Sequence, residues 1–172
     1  MLTTEPAADR AALHGQFAAD YDQLTQAYHC CAAEVLFGLV YEYTRPGQCL
    51  LDLGIGTGLS AAPFVQAGLA VWGVDVSPDM LAVCRAKNLA VDLRVADLAA
   101  QPWPYAPQSF EQVLACGLLH FFGDLDAVFR SVARVLRPGG YFTFALKRPS
   151  MASSVEVISD TLPASTWARK TV

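Results

Sequence analysis

No basic stripe runs through this sequence. Its 172 residues carry 12 Lys and Arg against 16 Asp and Glu, a formal net charge of -4, so a nucleic-acid partner is not expected. The five cysteines, Cys30, Cys31, Cys49, Cys84 and Cys116, contain no C-x-x-C pair, and their number is odd. A disulfide framework and a zinc site are therefore not expected, and a reducing compartment fits. His14 and His29 lack ligand-type neighbours at metal spacing, so no metal is expected. Residues 1–10 have no apolar run of the signal-peptide kind. The longest apolar stretch, residues 30–44, is broken by Glu34 and Glu42 and is too short to span a membrane. A soluble cytoplasmic protein is the expectation.

Apolar matter is abundant instead. The chain is 53% hydrophobic, with a mean hydropathy of +0.31. That suffices for a full core and leaves apolar surface for a partner subunit or a greasy substrate pocket. The length predicts a single domain.

The chain opens with a frayed segment, residues 1 to about 8. Leu13, Phe17 and Tyr21, at four-residue steps, predict a helix over residues 9–22. Thr25 is expected to cap a second helix that runs to Thr44 and stops at Arg45-Pro46-Gly47. An alternation follows. Strands are predicted at residues 49–53, 70–75, 91–95, 110–115 and 141–146. Helices are predicted at 59–67, at 78–87 with Ser77 as cap, and at 125–136. Residues 99–109 read as a loop and Arg137-Pro138-Gly139-Gly140 as a turn. Short apolar strands alternating with helices predict an α/β, doubly wound, mostly parallel sheet covered on both faces. Residues 153–159 fit a sixth strand or a short helix.

The chemistry concentrates at the strand ends. After the first strand stand Gly54, Gly56 and Gly58, at alternate positions before a helix start. Such a turn brings bare backbone N–H groups and a positive dipole end to a ligand. A dinucleotide fingerprint would need its third glycine where Leu59 stands, and no G-x-x-x-x-G-K is present. The loop thus suits a ligand smaller than a pyrophosphate. Asp75 closes the second strand, where a carboxylate can accept both hydroxyls of a ribose. Met80, one turn into the next helix, suits an adenine face or the core. Asp97, after the third strand, suits an exocyclic amine or a plain turn.

The series LLDLGIGTG (50–58), VDVSPDML (74–81), RVADL (94–98), FEQVLACGLLHFF (110–122) and LRPGGYFTFAL (136–146) resembles the class I S-adenosylmethionine-dependent methyltransferases. It is most similar to the small-molecule branch with the ubiquinone/menaquinone and biotin-precursor enzymes. The likeness covers about residues 14 to 147. It implies a Rossmann-like methyltransferase fold with S-adenosylmethionine over the strand ends. It implies that Asp52, Gly54, Gly56 and Gly58 line the methionine part and that Asp75 holds the ribose. Asp97 and Leu98 would read the adenine beside Val76 and Met80, and Cys116 would close the pocket. Phe17 to Asp22 is similar to that branch's F-x-x-x-Y-D segment, which implies that Tyr21 caps the cofactor under a helical lid; the other reading makes Phe17 and Tyr21 an ordinary apolar face.

On the acceptor side, His120 follows the fourth strand. It suits a base for an oxygen or nitrogen nucleophile, or equally a structural residue. Phe17, Tyr28, Phe121 and Phe122 are the candidate acceptor pocket. One domain over residues 1–172 is expected, with N-terminal helices to residue 45, a cofactor-binding core over 46–147 and a tail over 148–172. The family continues with a helix and an antiparallel strand pair, which these last residues are expected to lack. The sheet would then be short, covered by another chain, or truncated, and its open edge predicts a homodimer. The expected activity is in-line methyl transfer to a small molecule. The alternatives are a non-catalytic module that binds S-adenosylmethionine or S-adenosylhomocysteine and is completed by a partner chain, and, against the glycine spacing, a nicotinamide-dependent oxidoreductase.

Overall fold

The computed structural model describes residues 7–28, 30–148, 151–159 and 170–171. The expectations placed on residues 1–6 and on His29 lie outside these. Strands β1 (Cys49–Leu53), β2 (Ala70–Asp75), β3 (Asp92–Val95), β4 (Phe110–Ala115) and β5 (Leu136–Arg148) pair in parallel. They stand in the order β3-β2-β1-β4-β5. The direction of winding reverses between β1 and β4, so a crevice opens beyond the carboxyl ends of those strands.

Alternation along the strands builds two apolar layers. On one face Leu51, Leu53, Val113, Phe142 and Phe144 pack against Val128, Val132 and Val135 of α6 (Leu125–Val135) and against Trp103 and Tyr105 of the following-β3 loop. On the other, Leu50, Val71, Leu114 and Ala145 meet α3 (Ala32–Val40), α4 (Ala62–Gln66) and α5 (Pro78–Ala86) through Leu36, Val40, Phe64, Leu81 and Cys84. The caps are local. Ser77 Oγ accepts from Met80 N at 3.3 Å, and Asp124 Oδ1 accepts from Asp126 N at 2.9 Å and Ala127 N at 3.2 Å. Arg134 ties down the long loop by donating to Trp103 O at 2.9 Å and Tyr105 O at 2.7 Å.

Several expectations need correction. The sheet is not short of its C-terminal strand pair. Residues 153–159 belong to a strand, β6 (Met151–Ser159), which pairs antiparallel with β5. A further strand, β7 (Lys170–Thr171), pairs antiparallel with β6 and completes a seven-stranded sheet. Val155, Val157 and Ile158 supply the β-branched content that favours the strand over a helix. The outer edge of β5 is therefore paired within the chain, which removes the open edge that argued for a homodimer. Arg137-Pro138-Gly139-Gly140 is a bulge inside β5 rather than a turn before it. The pairing jumps from Phe110↔Leu136 to Gln112↔Tyr141, with Gly139 at φ +78°.

The N-terminal region also differs. It forms α1 (Ala7–Gln16), α2 (Tyr21–Ala27) and α3, with a 3₁₀ turn at Tyr41–Tyr43. Tight turns at Gly15–Ala18 and Phe17–Asp20 end α1 early. Thr25 caps nothing; it lies inside α2 and its Oγ1 donates to Tyr21 O at 2.8 Å. The helix expected from residue 59 begins at Ala62, one residue before Pro63, whose ring suits the first helical turn. Among the described residues, no helix is long and apolar enough to cross a membrane.

Gly73 in β2 marks the tightest point beneath the crevice. A Cβ there would lie 2.5 Å from Ile55 Cδ1 and 2.8 Å from Leu93 Cδ2. Gly73→Ala is expected to cost about 1–3 kcal/mol through overpacking, read as a lower urea midpoint with an unchanged slope.

Candidate functional site

The strand ends converge as the alternation requires. Gly54, Gly56 and Gly58 all take positive φ, at +69°, +55° and +90°. Gly54 N and Ile55 N donate to Val74 O at 2.8 and 3.1 Å, which turns the chain back over β2. Gly56 N donates to Asp75 Oδ2 at 2.9 Å, and Asp75 Oδ1 accepts from Ser77 N at 2.9 Å. One carboxylate thus fixes the glycine loop and the start of α5 together.

A cavity of about 260 Å³ lies over these ends. Gly54, Gly56, Asp75, Val76, Met80, Asp97, Leu98 and Cys116 line it, with Tyr21 from α2 and Phe121 and Phe122 from the segment after β4. These are expected site residues that the fold gathers in one place. Asp97 also accepts from Ala99 N at 2.9 Å, so it turns the chain as well as facing the cavity.

Other expected residues stand elsewhere. Asp52 is fully buried beneath the loop and Gly58 is buried too; neither lines the cavity. A Cβ at Gly58 would lie 2.9 Å from Cys84 Sγ, so the bare backbone there lets α5 pack closely against the loop. Phe17 is 48% and Tyr28 82% exposed, and neither reaches the cavity. His120 is not on the wall; its ring lies on Phe121, centroids 4.0 Å apart.

The structure adds residues that pattern reading did not reach. Thr25, Gln26, Cys30 and Glu34 enter from α2, the α2–α3 connection and the first turn of α3, and Ser60 and Leu118 from the loops after β1 and β4. The sequence pattern places Thr25, Gln26, Cys30 and Glu34 in one helix from Thr25 to Thr44, whereas the structure divides that stretch into α2 and α3 and so turns these residues to the cavity.

Burial sets the protonation of the walls. Cys116 is pushed up to about 12, by desolvation first and then by the charges of Asp52, Cys30 and Glu34. Desolvation also raises Tyr21, with Cys116 and Cys30 adding to it. Both are neutral hydrogen-bonding groups at neutral pH. Asp52 Oδ2 accepts from Ser60 Oγ at 2.7 Å, while Oδ1 has no protein partner. Desolvation lifts this carboxyl to about 7, against the Ser60 bond, and the charge of Asp75 raises it further. Among the described residues, no cluster of three His, Cys, Asp or Glu could hold a metal ion.

Comparison with known proteins assigns the family. A family model described as a methyltransferase domain matches residues 51–144, the stretch from β1 to β5. The chain belongs to this methyltransferase family. The resemblance to the class I S-adenosylmethionine-dependent methyltransferases of the small-molecule kind is thereby borne out. A fatty-acid O-methyltransferase of Mycolicibacterium smegmatis is 30% identical over 72% of this chain and 43% of its own length. A demethylmenaquinone methyltransferase of Corynebacterium kroppenstedtii is 37% identical over 58% of this chain and 42% of its own. The chain thus spans less than half the length of either. In structure, a putative methyltransferase solved with the Trm112 activator of Haloferax volcanii superposes with a TM-score of 0.67 at 24% identity, over 77% of this chain and 59% of that one. That likeness concerns the fold.

The methyltransferase domain fits the cofactor of its family at the level of residues. The glycine loop presents bare backbone to the cavity, and a Cβ at Gly54 would lie 2.8 Å from Leu118 Cδ1. The Asp75 carboxylate retains lone pairs beyond its two backbone bonds.

Asp52 makes stability depend on pH. Its folded-state value, about 7, lies above the unfolded value near 3.8, so the folded state binds the extra proton between them. Its contribution is full below about pH 4 and is lost as pH rises through about 7. Asp52→Asn is expected to flatten the decline in urea midpoint between pH 5 and pH 8 and to be the more stable form at pH 8.

Proposed function

We propose that this domain binds S-adenosylmethionine and transfers its methyl group to a small-molecule acceptor. The observation that carries this reading is the single cavity that unites the glycine loop, Asp75 and Asp97 from successive strand ends beneath Tyr21. Gly54 and Gly56 would hold the methionine part through backbone, and Asp75 would accept from the ribose hydroxyls. Asp97, Leu98, Val76 and Met80 would enclose the adenine. When bound, the cofactor supplies a methyl group already made electrophilic by its sulfonium.

What the chain's residues contribute is alignment and the exclusion of water. Tyr21, Phe121 and Phe122 form the apolar wall facing an acceptor. Cys116, held protonated, offers a hydrogen bond and not a competing thiolate. His120 supports Phe121 by ring contact, which makes it a positioning residue; His120→Ala would then lower turnover without shifting the pH profile. Residues 1–172 act as one domain in this reading, since the sheet runs from β3 to β7 without interruption.

Calorimetry with S-adenosylmethionine, S-adenosylhomocysteine and NAD tests the assignment. Binding of the first two and silence with NAD is the expected result; tight NAD binding without response to S-adenosylhomocysteine would overturn it. Asp75→Ala should weaken S-adenosylhomocysteine at least roughly 100-fold, as two hydrogen bonds to a charged group at about 1.5 kcal/mol each imply. An unaltered affinity would move the ribose elsewhere. Cofactor binding without turnover across quinol, phenol, amine and fatty-acid acceptors would assign the domain as a binding module.

A further inference from the structure

Helix α2 covers the cavity with little to hold it there. It contains no buried residue, and Leu24 on it is 42% exposed. Apolar packing therefore does not explain why Tyr21, its first residue, stays in the cavity wall. Two polar contacts to Asp22, braced by a third between its two partners, do. Thr57 Oγ1, in the glycine loop, donates to Asp22 Oδ1 at 2.6 Å. Lys87, which caps the carboxyl end of α5, donates from Nζ to Thr57 O at 2.9 Å and pairs with Asp22 Oδ2. Asp22, Thr57 and Lys87 close a triangle in which each touches the other two.

The charges in this triangle are only partly screened. The Lys87 and Asp22 side chains are 28% and 29% exposed, and Thr57 is buried at 1%. Thr57 lies between Gly56, which Asp75 holds, and Gly58, so the triangle grips the segment that presents backbone to the cavity. Lys87 stands at the negative end of the α5 dipole, which suits its charge. Upstream, α1 approaches α5 closely at Gly15, where a Cβ would lie 2.6 Å from Asp79 Oδ2. Helix α1 thus meets α5 at Asp79 and α2 meets its C-cap residue Lys87, and the triangle is the fastening that reaches the cavity.

We propose that Asp22 is a positioning residue that clasps α2 over the cofactor cavity through Thr57 and Lys87, and that release of this clasp sets the rate at which cofactor and product leave. The inference rests on the cofactor reading above. Asp22 touches no reacting group; it acts through Tyr21 and the glycine loop.

The test is stopped-flow dissociation of S-adenosylhomocysteine from the full chain, with the ligand-free melting temperature and amide hydrogen exchange of α2 measured alongside. Lys87→Met and Asp22→Asn should each speed release about tenfold, the loss expected of a partly buried ion pair. The double variant should be no faster than either single one, because both break one unit. Lys87→Arg should restore release to within about threefold. Exchange should rise in the α2 amides, while the melting temperature falls by less than about 4 °C. Raising salt from about 0.05 M to about 0.5 M should speed release from the unmodified chain and not from the Lys87→Met variant. Unchanged release rates, additive effects of the two substitutions, or salt-insensitive release from the unmodified chain would overturn the clasp. Failure of the unmodified chain to bind S-adenosylhomocysteine would instead overturn the cofactor reading, and the proposal with it.

Discussion

Asp75 accepts a hydrogen bond from Gly56 N and another from Ser77 N, each at 2.9 Å. That one carboxylate joins the end of β2, the turn after β1 and the cap of α5. Ser77 in turn caps α5, and α5 carries Met80 into the cavity and Lys87 to the glycine loop. Charge-assisted bonds to backbone N–H groups are stronger than neutral ones, so the cavity floor is set before any ligand arrives. Such preorganisation reduces the ordering cost of binding.

The rest of the cavity is built by elements with very different anchorage. β1 and β4 are buried on both faces, and their end residues cannot shift without disturbing the core. The long loop after β3 is held by Arg134 and by the Trp103 indole, which donates to Leu98 O at 3.0 Å. Helix α2 has no such burial and depends on polar contacts. A site with two rigid walls and one polar-fastened wall suits a ligand that must enter and leave; lids are drawn from the low-stability end of a fold for this reason.

Much of this was legible in the sequence. The strands β1, β2 and β4 fall at their expected residues, because short apolar runs bounded by Gly, Pro and Asp leave little freedom. Ser77 as cap and Pro78 as first helical residue were readable for the same local reason. The glycine spacing and the paired positions of Asp75 and Asp97 were also sufficient to indicate a cavity at successive strand ends. Asp52 and Gly58 could not be separated from the lining residues by pattern, since a motif does not say which of its members faces the ligand. Asp52 shares the face of Leu50 and points beneath the loop, and Gly58 yields to Cys84.

What the sequence determined by itself is the alternating α/β order, the parallel core and the residue types at each strand end, because these follow from local periodicity and turn chemistry. Tertiary structure decided the rest. It paired residues 151–159 antiparallel with the adjacent strand β5, since a short apolar segment fits a strand or a helix until a partner edge is there to receive it. It divided the N-terminal region into α1, α2 and α3 and brought Asp22 to Thr57 and Lys87, 35 and 65 residues away. It also left Phe17 and Tyr28 outside the cavity that their aromatic character suggested they would line. Those outcomes depend on which surfaces meet, and only the assembled sheet and its covering helices determine that.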